Sequence, residues 1–199
     1  MPVQPDEGDR IVGSLEDFDV ARGEFARIVA LVPIESLGEA TPCSEWNLRQ
    51  LLNHVVTGTQ WFTTVVLGEQ APDRTVDQIL SDPSGAFARR ADEFRAAIAR
   101  PGALEATYAH PAGEVSGERY TMMRVNEYLC HGWDVAQTIG ATPDFPSELA
   151  RRCLAMMESQ MEGRTREVGR GYGAELSPGP TPSDYDRLIA FAGRSTADW

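Results

Sequence analysis

Apolar side chains recur at three- and four-residue spacing through most of this chain, the signature of helices with one buried face. Leu15, Phe18, Phe25, Ile28 and Val29 predict a first helix over about Ser14 to Leu31, which Pro33 ends. Leu48, Leu52, Val55, Thr59, Phe62 and Val66 predict a second from Asn47 to Leu67, entered through the capping-rich segment Thr41-Pro-Cys-Ser-Glu-Trp-Asn47 and closed by Gly68. Asp82-Pro83 opens a third helix that runs to about Arg100, where Pro101-Gly102 stops it. From Leu104 to Glu118 the pattern changes, and Thr107 to Gly113 with Glu114 to Gly117 reads as a loop or short irregular extended segment.

A fourth long helix is expected from about Glu118 to Ile139, with Gly140 as its cap. Leu149, Leu154, Met156, Met157 and Met161 predict a shorter one over Ser147 to Met161, its methionines filling the core. Arg164 to Pro182 is rich in Gly and Pro and reads as a loop over an opening. Ser183-Asp184 caps a last helix bearing Leu188, Ile189 and Phe191. No repeat or linker divides the sequence. The expectation is all-α: one domain over residues 1–199, a four-helix bundle with short additional helices.

The polar positions of the fourth helix break the usual pattern. At about 100° per residue, Tyr120, Met123, Glu127, His131, Asp134 and Thr138 share one narrow stripe, opposite Val125, Leu129, Ala136 and Ile139. Read this way, the stripe holds two acids and no base below Tyr120, a charge that a cation would settle. On the second helix His54, Gly58 and Trp61 form a strip beside the packing face. Glu127 and His131, four residues apart, point the same way and can grip one ion together; His54 supplies a third donor from a facing helix. Two nitrogens and one carboxylate suit zinc or a similar divalent ion and leave coordination positions open. The plainer reading is an i, i+4 surface pair and a core histidine with a satisfied hydrogen bond. His110 precedes a proline in a loop, where a ligand is held less firmly.

Charge and cysteine content narrow the partners. With Lys+Arg 18 against Asp+Glu 30, the formal net charge is -12, and no basic run is present. Nucleic acid and anionic membrane are therefore not expected partners. The amino terminus lacks the regions of a signal peptide and no apolar run is long enough to span a bilayer, which points to a cytoplasmic protein. Cys43, Cys130 and Cys153 are scattered and odd in number, so they read as small buried residues and not as a disulfide framework or zinc site. Cys130 adjoins His131 but points about 100° away from it.

Three segments carry a family resemblance: Thr41-Pro-Cys-Ser-Glu-Trp-Asn-Leu-Arg-Gln-Leu-Leu-Asn-His54, Glu127-Tyr-Leu-Cys-His-Gly-Trp-Asp-Val-Ala136 and Leu188-Ile-Ala-Phe-Ala-Gly-Arg194. Together they resemble the metal-binding proteins related to mycothiol-dependent maleylpyruvate isomerase, within the DinB/YfiT-like superfamily. The resemblance implies a DinB-like four-helix bundle in which His54, Glu127 and His131 bind a divalent ion, usually zinc. It also implies chemistry on a low-molecular-weight thiol such as mycothiol. The isomerase carries a further C-terminal domain that contributes to its active site, and a chain ending at Trp199 is expected to lack it.

The expected chemistry follows. A cation with open positions favours the thiolate form of a bound thiol, which attacks a small electrophile in the bundle mouth, as in an S-transferase or isomerase. Asp134 orients His131 or a water, or serves as a plain structural acceptor. Trp61 and Tyr120 are candidates to line the substrate pocket. Removing Glu127 is expected to abolish the rate without unfolding the bundle. Two alternatives stay open, a metal-dependent hydrolase that activates water and a metal-binding protein without catalysis. The sequence leaves open whether the bundle pairs into a homodimer.

Overall fold

A computed structural model describes residues 14–111, 113–163 and 173–195. Its helices are α1 (Leu15–Ala30), α2 (Leu48–Leu67), α3 (Pro83–Ile98), α4 (Gly117–Ile139), α5 (Ser147–Met161) and α6 (Asp184–Phe191). Their ends are set by local chemistry. Ser14, Asn47 and Ser183 each accept a hydrogen bond from the third residue of the helix they open, and the side chains of Asp17, Gln50 and Asp186 accept one in return from the cap backbone N–H. Asp82 caps α3 ahead of Pro83, and Gly68 and Gly140 close α2 and α4 in the left-handed conformation.

The first four helices form the bundle, with α1 and α2 each packed against both α3 and α4. α1 thus lies diagonally across from α2, and α3 from α4. Phe18, Phe25, Phe87, Phe94 and Tyr128 fill the centre, with ring centroids 5.1 Å apart for Phe18 and Phe94 and 4.7 Å for Phe25 and Phe87. Each such phenylalanine contributes roughly 2 kcal/mol through burial. α5 pairs with α6, and both rest on α4. Gly132 makes that close: a Cβ there would lie 2.8 Å from the Phe145 ring, on the segment leading to α5. Among the described residues no helix is long and apolar enough to cross a membrane.

Two features depart from the sequence reading. The segment before α4, expected as a loop or short irregular extended segment, is a regular hairpin, β1 (Thr107–His110) antiparallel to β2 (Gly113–Ser116). Strands of four residues are too short to show a period. A 3₁₀ turn over Ile34–Gly38 follows Pro33. Of the loop expected over Arg164 to Pro182, residues 164–172 lie outside the described residues.

Candidate metal centre

The turn that enters α2 is tied before the helix begins. Thr41 Oγ1 donates to the carbonyl of Trp46 at 2.7 Å and to that of Cys43 at 3.1 Å, the Trp46 N–H donates to the Cys43 carbonyl, and Ala40 pairs with Asn47. Trp46 is thereby held over the start of the bundle. Its ring lies 4.3 Å from that of His54 and 6.1 Å from that of His131, centroid to centroid. It shelters both imidazoles, a role the sequence reading assigned to no residue.

α2 and α4 bring His54, Glu127 and His131 to one place, with ligand atoms all within 4.8 Å of one another. His54 Nε2 is 3.3 Å and His131 Nε2 3.6 Å from Glu127 Oε2. Donor atoms about 2.1 Å from a tetrahedral ion stand about 3.4 Å apart, so this set fits a zinc-sized cation. His54 and Glu127 are each 25% exposed along the side chain and His131 8%, which leaves the cluster open on one side.

The surroundings prepare these groups for a cation. Burial opposes ionisation of Glu127, but the Arg124 charge and the His54 hydrogen bond hold its carboxyl well below the usual range. Burial also lowers the His54 pKa, against the pull of Glu127. An anionic carboxylate and a neutral imidazole are the forms that ligate metals. Behind His131, Asp134 is fully buried and lies 2.9 Å from His131 Nδ1. Asp134 is held in turn by Arg194, whose Nε and Nη2 donate to its two oxygens at 3.1 and 3.0 Å. Burial works against the Asp134 charge, and Arg194 and His131 together more than offset it, so the carboxyl stays below its ordinary value.

One contact competes with ligation. Arg74 Nη2 donates to His54 Nδ1 at 3.4 Å, which puts the ring proton on Nε2. Binding through Nε2 transfers that proton to Nδ1, so the exposed Arg74 has to move off it.

The remaining candidates are elsewhere or differently engaged. His110 stands on β1 beside Trp61 and Phe62, at centroid distances of 6.1 and 6.2 Å, and is not one of the three clustered donors. Tyr120 is fully buried, its hydroxyl donating to the Ala109 carbonyl at 2.9 Å, so it anchors the hairpin and is not an open pocket wall. Trp61 is half-buried against Phe62 and His110. The polar stripe of α4 also contains a base. Arg124, three residues before Glu127 and seven before His131, lies on the same face, with Nη2 3.5 Å from Glu127 Oε2.

Comparison with known proteins agrees with this architecture. A family model described as the mycothiol maleylpyruvate isomerase N-terminal domain matches residues 18–136. An uncharacterized protein found in two strains of Mycobacterium tuberculosis is 32% identical over 178 residues, covering 88% of this chain and 94% of its own. Among solved structures, a His-to-Ala mutant of mycothiol-dependent maleylpyruvate isomerase superposes with a TM-score of 0.63 at 17% identity, over 81% of this chain and 72% of that one. The unmutated isomerase gives 0.62 at 17% identity, over 76% and 72%. These two share the fold. On the extent of the family match and the identity to the mycobacterial relatives, the chain belongs to the mycothiol maleylpyruvate isomerase N-terminal domain family.

Proposed function

We propose that this protein is a divalent-metal-dependent enzyme, with zinc as the ion, that uses mycothiol or a similar low-molecular-weight thiol in an S-transferase or isomerase type of reaction. The observation that carries the reading is the gathering of His54, Glu127 and His131 on facing helices with one side open. When bound, the ion acts as a Lewis acid that favours the thiolate over the thiol near neutral pH. Asp134 holds His131 with Nδ1 protonated and Nε2 turned to the centre, and Trp46 keeps water from one face of both imidazoles.

The protein's own cysteines do not supply the nucleophile. Burial pushes the Cys43 thiol up to about 11 and Cys130 to about 12, and raises Cys153 well above its ordinary value. A thiol from solution is the nucleophile this reading takes. In the isomerase type, the thiolate adds to an activated double bond, the resulting single bond rotates, and the thiolate leaves again with no net consumption.

Metal analysis of the purified protein, followed by assays with mycothiol and simpler thiols against an electrophile panel that includes maleylpyruvate, tests the proposal. Thiol addition or isomerisation that tracks metal occupancy is expected. Ester or amide hydrolysis without thiol chemistry would establish the hydrolase instead, and tight metal binding with neither activity would establish a non-catalytic metal-binding protein.

A further inference from the structure

Arg124 is a buried cation with too little to hold. Its side chain is 4% exposed, and its guanidinium carbon stacks 3.9 Å over the centre of the Phe62 ring. Nη2 meets Glu127, but Nε and Nη1 are buried and have no hydrogen-bond partner among the described residues. Two unmatched guanidinium donors out of water are costly unless something in the working protein meets them.

A second guanidinium approaches the same spot. A Cβ placed on Gly58 would lie 3.2 Å from Arg124 Nη1 and 3.4 Å from Arg74 Nη2, so both arginines converge over a glycine that leaves room for them. Arg74 is exposed, follows α2 in the connection to α3, and rests on His54 Nδ1 only through the long contact that metal ligation would break. Glu127 is the anion these two cations share, so Arg74, Arg124 and Glu127 together carry one surplus positive charge. A divalent ion on the triad enlarges that surplus. Arg119, whose charge is felt at His110 beside Trp61, adds another positive group on this side.

We propose that Arg124 and Arg74, converging over Gly58, form a carboxylate-binding subsite next to the His54, Glu127 and His131 cluster, and that it takes the carboxylate of the electrophilic substrate. The Arg124 guanidinium is fixed by the Phe62 ring and Glu127, and a carboxylate over Gly58 can take one oxygen to Arg124 Nη1 and the other to Arg74 Nη2. Arg74 is both the cover over Arg124 Nη1 and a second clamp once it leaves His54. The assignment of this anion to a substrate rests on the enzyme reading above, while the existence of the subsite does not.

The experiment separates the two. Pyruvate and fumarate are titrated into the full chain, metal-free and zinc-loaded, with binding followed by tryptophan fluorescence and thermal shift, and with uncharged pyruvamide as control. Saturable binding of the carboxylates to both forms is expected, with no binding of pyruvamide. R74A, altered at an exposed position that leaves the bundle intact, should weaken binding about tenfold or more, and R124M should abolish it. G58V, which places a side chain between the guanidinium groups, should weaken binding as R74A does. Carboxylate binding that requires zinc and is equal in R74A and the parent would place the anion on the metal and overturn the subsite. Inorganic phosphate binding as tightly as pyruvate would overturn the carboxylate assignment. Carboxylate binding without any thiol chemistry would leave the subsite standing and remove the enzyme reading alone.

Discussion

His131 Nδ1 lies 2.9 Å from Asp134 Oδ2, one helical turn away and sealed from solvent. Asp134 is ionised and can only accept, so the imidazole donates from Nδ1 and turns its Nε2 toward Glu127. Arg194, in the Gly-Arg pair after α6, fixes Asp134 with two hydrogen bonds and donates a third to the Ala192 carbonyl at 2.9 Å. The end of the described chain thus sets the tautomer of a residue in the bundle centre.

D134N is expected to weaken zinc affinity about 10–100-fold, measured by competition with a chromophoric chelator. It also strands Arg194, so urea unfolding at pH 7 should show a loss of about 3 kcal/mol. The sign with pH follows from the depressed pKa. The contribution of Asp134 is fully present above its unfolded value and fades as pH falls through the folded value, which lies below 3.8. Parent and variant should therefore converge in stability only in strong acid. A gap that is unchanged down to that range would mean that Asp134 is not the anion holding the pair.

Glu127 has a structural duty that the sequence reading did not assign to it. It is the counterion of the buried Arg124, so E127A should cost about 3 kcal/mol as well as the metal. E127A/R124M should recover most of the lost stability without regaining zinc, a comparison that urea unfolding and metal analysis make together. E127A as stable as the parent would show that the ion pair contributes nothing.

The helices were legible because each end carries its own chemistry: Ser14, Asn47, Asp82 and Ser183 before the first turn, Gly68 and Gly140 after the last. His54, Glu127 and His131 stood out because the chain has only 3 histidines and one of them shares a helix face with a carboxylate. Arg124 shares that face too. It escaped notice because arginine is ordinarily a surface residue, and sorting a helix into ligands and core leaves no place for a buried guanidinium. Trp46 was hidden for another reason: its position depends on the Thr41 hydrogen bonds that fold the turn back onto α2, and no period encodes such a turn.

The three cysteines should be slow to alkylate in the native protein at neutral pH. Thiols pushed up to about 11 for Cys43 and about 12 for Cys130, and well above the ordinary value for Cys153, are almost wholly protonated there. Iodoacetamide labelling followed by mass spectrometry should find Cys43 first, because it is only half-buried, with Cys130 and Cys153 protected until unfolding. C43A should keep whatever thiol-dependent activity the parent has. Loss of that activity would make Cys43 part of the chemistry and remove the argument for a thiol from solution.

Metal content discriminates among the histidines, and Trp46 reports on it. H131A should lose nearly all bound zinc, because it removes one of three converging donors together with the only one oriented by Asp134. H110A should keep its zinc, since His110 packs among Trp61 and Phe62 on the hairpin side. Trp46, stacked 4.3 Å from His54, should change its fluorescence as zinc replaces the proton on Nε2 and Arg74 leaves Nδ1. W46F should remove that change while still holding metal, with a modest loss of affinity from the smaller shelter, on the order of 1 kcal/mol. Equal zinc loss in H131A and H110A would show that the third donor has been misassigned. A zinc-dependent signal that survives W46F would mean that the change arises at another tryptophan and that the stack over His54 does not sense the ion.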